Sequence, residues 1–513
     1  MKRILGIFLC VCLLLAGCGT QKDPYVATGD GLTLDEITTP TGSAITEQTM
    51  SLAYYPGRSL NPYSCTDLTN RVLFGLLYQG LFAVDSDYQA SPVLCSGYQV
   101  SRDMKTYTFQ IAAASFSDGT ALTPADVAAS LMAAKESPYY SGRFGYMESA
   151  LAEGENVVVT LTTPYENFLL LLDVPMVKAS QVADNQPLGT GPYFYETIAS
   201  QLRLRRRTDW WCVANLPVTA QKISLVEGEN AAQLRDQFEF SNLGLVCTDP
   251  GSESYVDFHS DYELWDSENG IFLYLACNSR SAVLSHDSIR AALTNAIDRS
   301  SLVDSYYRGF AYAAVLPASP QSPFYSQVLA GQYRYDPDIL TDAVAAAGIE
   351  GTSLVFLVNT DDGLRLRAAR AIAESFRSCG LKITMSELDG EKYRAALAAG
   401  EFDLYLGQTK LSANMDLSAF FAPEGTLSFG GMDDPALHAL CQEALANNGN
   451  YYTLHKMIFE DGLLCPILFR SNAIFVQRGT FEDLFPTRDN VFYYDLGKAA
   501  EDIRSEEERE DLL

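Results

Sequence analysis

Between Leu354 and Leu406 the chain alternates strand and helix patterns, and a glycine follows each helix. Leu354 to Val358 reads as a strand, Leu364 to Cys379 as a helix stopped by Gly380, and Ile383 to Met385 as a strand. Tyr393 to Ala399 reads as a helix stopped by Gly400, and Phe402 to Leu406 as a strand. Strand–helix–strand order predicts parallel pairing through right-handed crossovers, hence an α/β layer with helices against a sheet. At 513 residues the chain is long enough for about three domains, taking roughly 150 residues for each. There is no internal repeat.

The N-terminus sets the compartment. Met1-Lys2-Arg3 precedes an apolar run from Ile4 to Ala16, then Gly17-Cys18. That run is shorter than the roughly 20 residues a membrane-spanning helix needs, and it fits a secretory signal over residues 1–17. Leu15-Ala16-Gly17-Cys18 resembles a bacterial lipobox, in which the thiol is acylated and the chain is cut before Cys18. A plain signal with an incidental cysteine is the other reading. Residues 18–48 are rich in Thr, Gly, Asp and Pro without apolar periodicity, and they read as a flexible tether. No other segment is apolar enough to span a bilayer.

A formal charge of −28 disfavours nucleic acid as a partner and attachment to anionic lipid through basic patches. Cys65, Cys95, Cys212, Cys247, Cys277, Cys379, Cys441 and Cys465 remain after export and acylation, with no CxxC among them. Disulfides are permitted outside the cell, and buried free thiols are the alternative.

Further local signals precede the α/β stretch. Leu52 to Tyr55 is a short strand, and Thr66-Asp67 caps a helix carrying Leu68, Val72, Leu76 and Leu77. Tyr107, Phe109 and Ile111 alternate as a strand, and Val157 to Leu161 is another. Ser117 to Thr120 is a turn, and Thr123-Pro124-Ala125-Asp126 opens a helix with a capping box. Arg203, Arg205 and Arg207 share a strand face, read as a solvated outer face rather than an anion site. The acidic run from Glu501 to Asp511 reads as solvated.

No catalytic constellation emerges. There is no GxSxG, HExxH, Walker loop or GxGxxG. Pro192 removes a backbone donor from Gly189-Thr190-Gly191-Pro192, which spoils it as a phosphate cradle. His259, His286, His438 and His455 lack ligand spacing, and Asp361-Asp362 and Asp433-Asp434 read as turn residues. No enzyme, metal or cofactor is expected. A lipid-anchored hydrolase would need a nucleophile–base pair that the sequence does not offer.

Several pieces in order resemble the family 5 extracellular solute-binding proteins of ABC importers, the dipeptide-, oligopeptide- and nickel-binding lipoproteins. Leu60-Asn61-Pro62-Tyr63 and Leu77 to Phe82 are similar to the family's "LNPY … LYEGL". Phe116 to Val127 is close to "FSDGTPLTAEDV", the most specific match. Gly189 to Tyr193 matches "GTGPY", Thr208 to Trp211 resembles "NPDYW", and Ile289 to Arg299 resembles "VRQAL…AIDR". Tyr335-Asp336-Pro337 also fits.

The resemblance implies a two-lobed α/β fold of the type II periplasmic-binding kind with an extra inserted domain. It places domain I at 49–83, 187–268 and 480–513, inserted domain II at 84–186, and domain III at 269–479. It implies capture of a peptide or peptide-like solute outside the cell, at the membrane face, and delivery to permease and ATPase subunits. A ligand-binding lobe for peptide sensing is the alternative. Nickel is disfavoured by the four histidines. In peptide-binding members an aspartate holds the peptide amine. Aligning Lys410 to Phe421 leaves Ala413 at that position, while Asp416 looks structural. The expected ligand-lining residues are Ser412, Ala413, Asn414 and Asp416, with Tyr54, Tyr55, Trp210 and Trp211 as aromatic walls.

Overall fold

The computed structural model describes residues 50–211, 218, 220–252, 255–481 and 484–493. The expected signal, Cys18, the tether, Cys212 and the acidic run after residue 500 lie outside the described residues.

β1 (Met50–Tyr54) opens the fold. Asp67 caps the next helix by accepting from the Asn70 amide. The spacing predicts one helix through Leu77; the structure has two, Leu68–Arg71 and Phe74–Leu77. Between them the Leu73 and Leu76 amides bond back three residues instead of four, which tightens the turn.

A hairpin of β2 (Phe82–Val84) and β3 (Ala90–Pro92) follows. Then β4 (Cys95–Val100), β5 (Thr106–Ile111), β6 (Met147–Glu153) and β7 (Asn156–Leu161) form a four-stranded antiparallel sheet, order β4-β5-β7-β6. The helix Pro124–Lys135 starts at the predicted capping box, with Thr123 and Asp126 bonded reciprocally.

The turn before it holds Gly119 at φ +81°, with the Gly119 amide donating to the Phe116 carbonyl. An added Cβ meets open space, so the cost of a side chain there is conformational. Gly119→Val should destabilise the protein by about 1–2 kcal/mol in urea titration and leave solute affinity unchanged. A stable variant that has lost binding would make this loop functional instead.

Among the described residues the large sheet has eleven strands. Its first part comprises β8 (Tyr193–Ile198), β9 (Gln201–Arg206), β10 (Lys222–Glu227), β11 (Leu245–Thr248) and β1. β12 (Tyr262–Cys277) leads to the second part, which contains β14 (Ser353–Asn359), β15 (Lys382–Leu388) and β16 (Leu404–Lys410). β13 (Ala311–Ala313) pairs with β17 (Leu464–Gln477). The order is β15-β14-β16-β12-β17-β11-β1-β10-β9-β8.

β14 is parallel to both β15 and β16, as the sequence predicts. Gly380 at φ +95° and Gly400 at φ +70° end the two crossover helices, Gly363–Ser378 and Gly390–Ala399. The last strand of the stretch lies further on than predicted, at Leu404–Lys410, because Asp403 is held at its start by Val355. Helices cover both faces of this part. Leu354, Phe356 and Val358 enter one apolar cluster while Leu357 enters another.

The remaining motifs are structural. A Cβ on Gly189 or Gly191 would overlap the backbone of Leu77, so these glycines let two chain segments touch. Asp362 and Asp434 cap helices. Arg203 and Arg205 pair with Glu196 on the neighbouring strand. Arg207 departs from the expected solvated face: its side chain is buried and donates to the Ser115 carbonyl. The seven described cysteines are buried free thiols.

Candidate functional site

Two long strands carry the sheet from one half into the other. β12 pairs through Tyr262–Glu268 with the far part of β17, and from Phe272 onward with its near part. The register shifts between Glu268 and Phe272, where Gly270 sits at φ +76°. On one side of this crossing lie β1, β8–β11, the small sheet and residues 484–493. On the other lie β14–β16 and their helices.

Lys410, the last residue of β16, reaches across the seam. Its Nζ lies 2.7 Å from Asp489 Oδ1 and 2.8 Å from the Tyr139 hydroxyl, which donates to the same carboxylate oxygen at 3.0 Å. Arg143 Nη2 holds the other oxygen at 2.7 Å, and Arg143 Nη1 pairs with Asp173. Arg488 lies 3.7 Å from Asp489 and packs on Gly270, where a Cβ would overlap its guanidinium. Glu268 accepts from the Tyr88 hydroxyl and the Gly270 amide. Arg71 lies over the Tyr139 ring at 3.2 Å and donates to the Tyr140 hydroxyl.

Burial alone would raise the Asp489 pKa. Lys410, Arg143 and Arg488 outweigh it and hold that carboxyl well below the usual carboxylate range. At Asp173 burial wins over Arg143, and the shift is upward.

The loop after Lys410 is tied to the crossing by the Leu411 amide, which donates to the Gly270 carbonyl. Ser412 Oγ donates to Asn414 Oδ1 at 2.6 Å, and Asn414 Nδ2 donates to the Tyr165 hydroxyl across the seam. Tyr451 donates to the Asn414 carbonyl. Asp416 accepts from the Ser418 amide at 2.8 Å, and burial raises its pKa. Glu166 and Asn167 meet Asn448 further along the same seam.

The sequence-predicted lining residues fall into three places. Ser412, Asn414 and Asp416 come to the seam, whereas Ala413 turns into an apolar cluster and is 5 % exposed. Trp210 donates to the Thr190 carbonyl and Trp211 to Gln79 Oε1, their rings 6.3 Å apart. Tyr54 donates to Glu227 at 2.8 Å; burial, helped by Glu227, pushes its pKa up to about 12. The Tyr55 backbone is bound by the Asn70 side chain.

Sequence reasoning missed Tyr139, Arg143, Tyr165, Asp173, Arg488 and Asp489. They are single residues without a spacing pattern; only Lys410 stood inside the stretch singled out. Among the described residues no group of three or more His, Cys, Asp or Glu is placed to hold a metal ion. His455 is buried, and burial takes its pKa down to about 3, so it is neutral. No described helix is long and apolar enough to cross a membrane.

Residues 89–426 match the family profile described as bacterial extracellular solute-binding proteins, family 5 Middle. The glutathione-binding protein GsiB of Escherichia coli K12 is 25% identical over 391 residues, covering 72% of this chain and 73% of that protein. The ABC transporter substrate-binding protein CtaP of Listeria monocytogenes superposes with a TM-score of 0.71 at 16% identity, over 87% of this chain and 98% of that one. The oligopeptide-binding protein AppA of Bacillus subtilis, solved with a nonapeptide, gives 0.60 at 17% identity, over 88% and 98%. The fold is therefore the two-lobed type II periplasmic-binding architecture. The chain belongs to the bacterial extracellular solute-binding proteins of family 5, as a solute-binding protein of ABC importers and not an enzyme.

Proposed function

We propose that the chain captures a peptide or peptide-like solute in the seam between its lobes and hands it to permease and ATPase subunits. The observation that carries this reading is the seam itself. Among the described residues two strands join the halves of the sheet through it, and polar side chains from both sides converge on it. Hinge bending at the register shift would open it, and closure would enclose the solute. The same crossing supports residues 269–479 as one lobe. The other lobe combines 49–83, 187–268 and 480–513 with inserted residues 84–186. The relatives lend the ligand class: one is named for glutathione and one holds a nonapeptide.

Titration calorimetry with dipeptides, tripeptides and glutathione tests the reading. Micromolar binding by at least one of them is the expected result. Native mass spectrometry of the purified protein identifies what it carries. Failure of every peptide, with a non-peptide solute found in the protein, would refute the ligand class.

Anchoring at Cys18 belongs to the same proposal and rests on the lipobox. Cys18→Ser should leave the precursor uncleaved or release the protein from the membrane fraction, as cell fractionation and immunoblotting would read. A processed, membrane-bound variant would exclude the lipid anchor.

A further inference from the structure

The helix Pro435–Ala446 divides its buried side chains between two apolar clusters. Leu437, Cys441 and Ala444 enter the cluster that holds Phe272 and Phe420, on the side of β14–β16. Leu445, 1 % exposed, enters the cluster that holds Phe109, Tyr165 and Phe168, across the seam. The last turn of the helix thus sends one apolar side chain toward the inserted residues 84–186.

Hydrogen bonds tie the same place. The Leu445 carbonyl is one of the four at a helix end that find no partner within the helix. It accepts from the Glu166 amide at 2.7 Å. Glu166 Oε2 in turn accepts from the Asn448 amide at 2.8 Å, where the next turn, Asn448–Asn450, begins. The side-chain amides of Asn167 and Asn448 donate to each other, one of the two bonds at 3.1 Å. Parting the halves would expose Leu445 and return these groups to water. Glu166, Asn167, Leu445 and Asn448 stand outside the loop Ser412–Asp416, and these bonds run among themselves.

We infer that these four residues form a clasp between the inserted residues and the α/β lobe, positioning residues that set the closed fraction of the protein and so scale its affinity for every solute by one factor. The inference rests on the seam being the solute site. In a two-state closure the apparent dissociation constant is that of the closed form divided by the closed fraction. Loosening the clasp therefore multiplies all dissociation constants by the same number.

Asn448→Asp tests the clasp at an exposed position. The new carboxylate stands beside Glu166 and has no N–H to give Asn167 Oδ1. Freed of solute, the variant should have a larger radius of gyration than the wild type in small-angle X-ray scattering. Glutathione and an alanine tripeptide, measured by titration calorimetry, should both bind it more weakly by the same factor, about fivefold. High salt should shrink that factor by screening the two carboxylates. Adding Glu166→Gln to Asn448→Asp should recover the greater part of the loss. An unchanged radius, factors that differ between the two solutes, or a loss that Glu166→Gln does not relieve would overturn the clasp and leave the peptide reading intact. If neither solute binds the wild type, the peptide reading fails, and scattering alone decides the clasp: a larger radius upholds it and an unchanged one overturns it.

Discussion

Replacing Asp489 with asparagine should lower the unfolding free energy by about 3–5 kcal/mol, the usual cost of stranding buried charges. Asp489 faces three cations, and its side chain is 6 % exposed. An amide of the same size keeps the space filled but leaves Lys410 without its acidic partner, while Arg143 retains Asp173 and Arg488 retains Glu268. Urea unfolding monitored by fluorescence would measure the loss. A change under 1 kcal/mol would mean that solvent already screens the cluster. The pH dependence has a definite sign. A carboxyl with a depressed folded pKa contributes stability above its unfolded pKa and loses it as the pH falls through the folded value. Wild-type protein should therefore lose this contribution only below about pH 4, and Asp489→Asn should flatten that part of the profile. Asp173 acts oppositely, because its raised pKa favours the folded state at low pH.

Ala413→Asp should be the second large effect. Ala413 belongs to the apolar cluster that also contains Phe272, Met415 and Phe420. A carboxylate there is desolvated, and its raised pKa makes the penalty grow as the pH rises through the carboxylate range. At pH 7 the loss should be on the order of 3 kcal/mol, and at pH 4 much smaller. A ligand ammonium docking beside the new carboxyl would pair it and return part of that stability. Free-amine dipeptides should therefore raise the melting temperature of the variant more than that of the wild type, by differential scanning fluorimetry. Equal shifts in the two proteins would remove position 413 from the solute site.

The α/β stretch was legible because its signals are local and agree with one another. Asp362 and Asp389 cap the helices, Gly380 and Gly400 stop them, and the strands are apolar on both faces. Likewise the capping box at Thr123 reads directly from four adjacent residues. The break between the helices at Val72 is not legible, because it arises where Leu73 and Phe74 are both drawn into the core. Arg207 looks like its neighbours Arg203 and Arg205 until Ser115, 92 residues away, supplies its partner. The seam was the hardest to see. Asp489 stands 79 residues from Lys410 and 346 from Arg143, so only the folded chain assembles them. The loop after β16 was found by aligning Lys410 to Phe421 with the peptide-binding members of the family. Which of its side chains turn inward depends on the packing of Ala413, which no spacing reveals.

β17 also fixes an order of events in folding. It lies between β12 and β11 in the sheet, yet in chain order it is the latest of the described strands. Until residues 464–477 have emerged, the large sheet consists of two unconnected pieces, each with a bare edge. None of the earlier described strands occupies that gap. A chain emerging from its N-terminus therefore cannot complete the large sheet early, and the two pieces stay separate until β17 arrives.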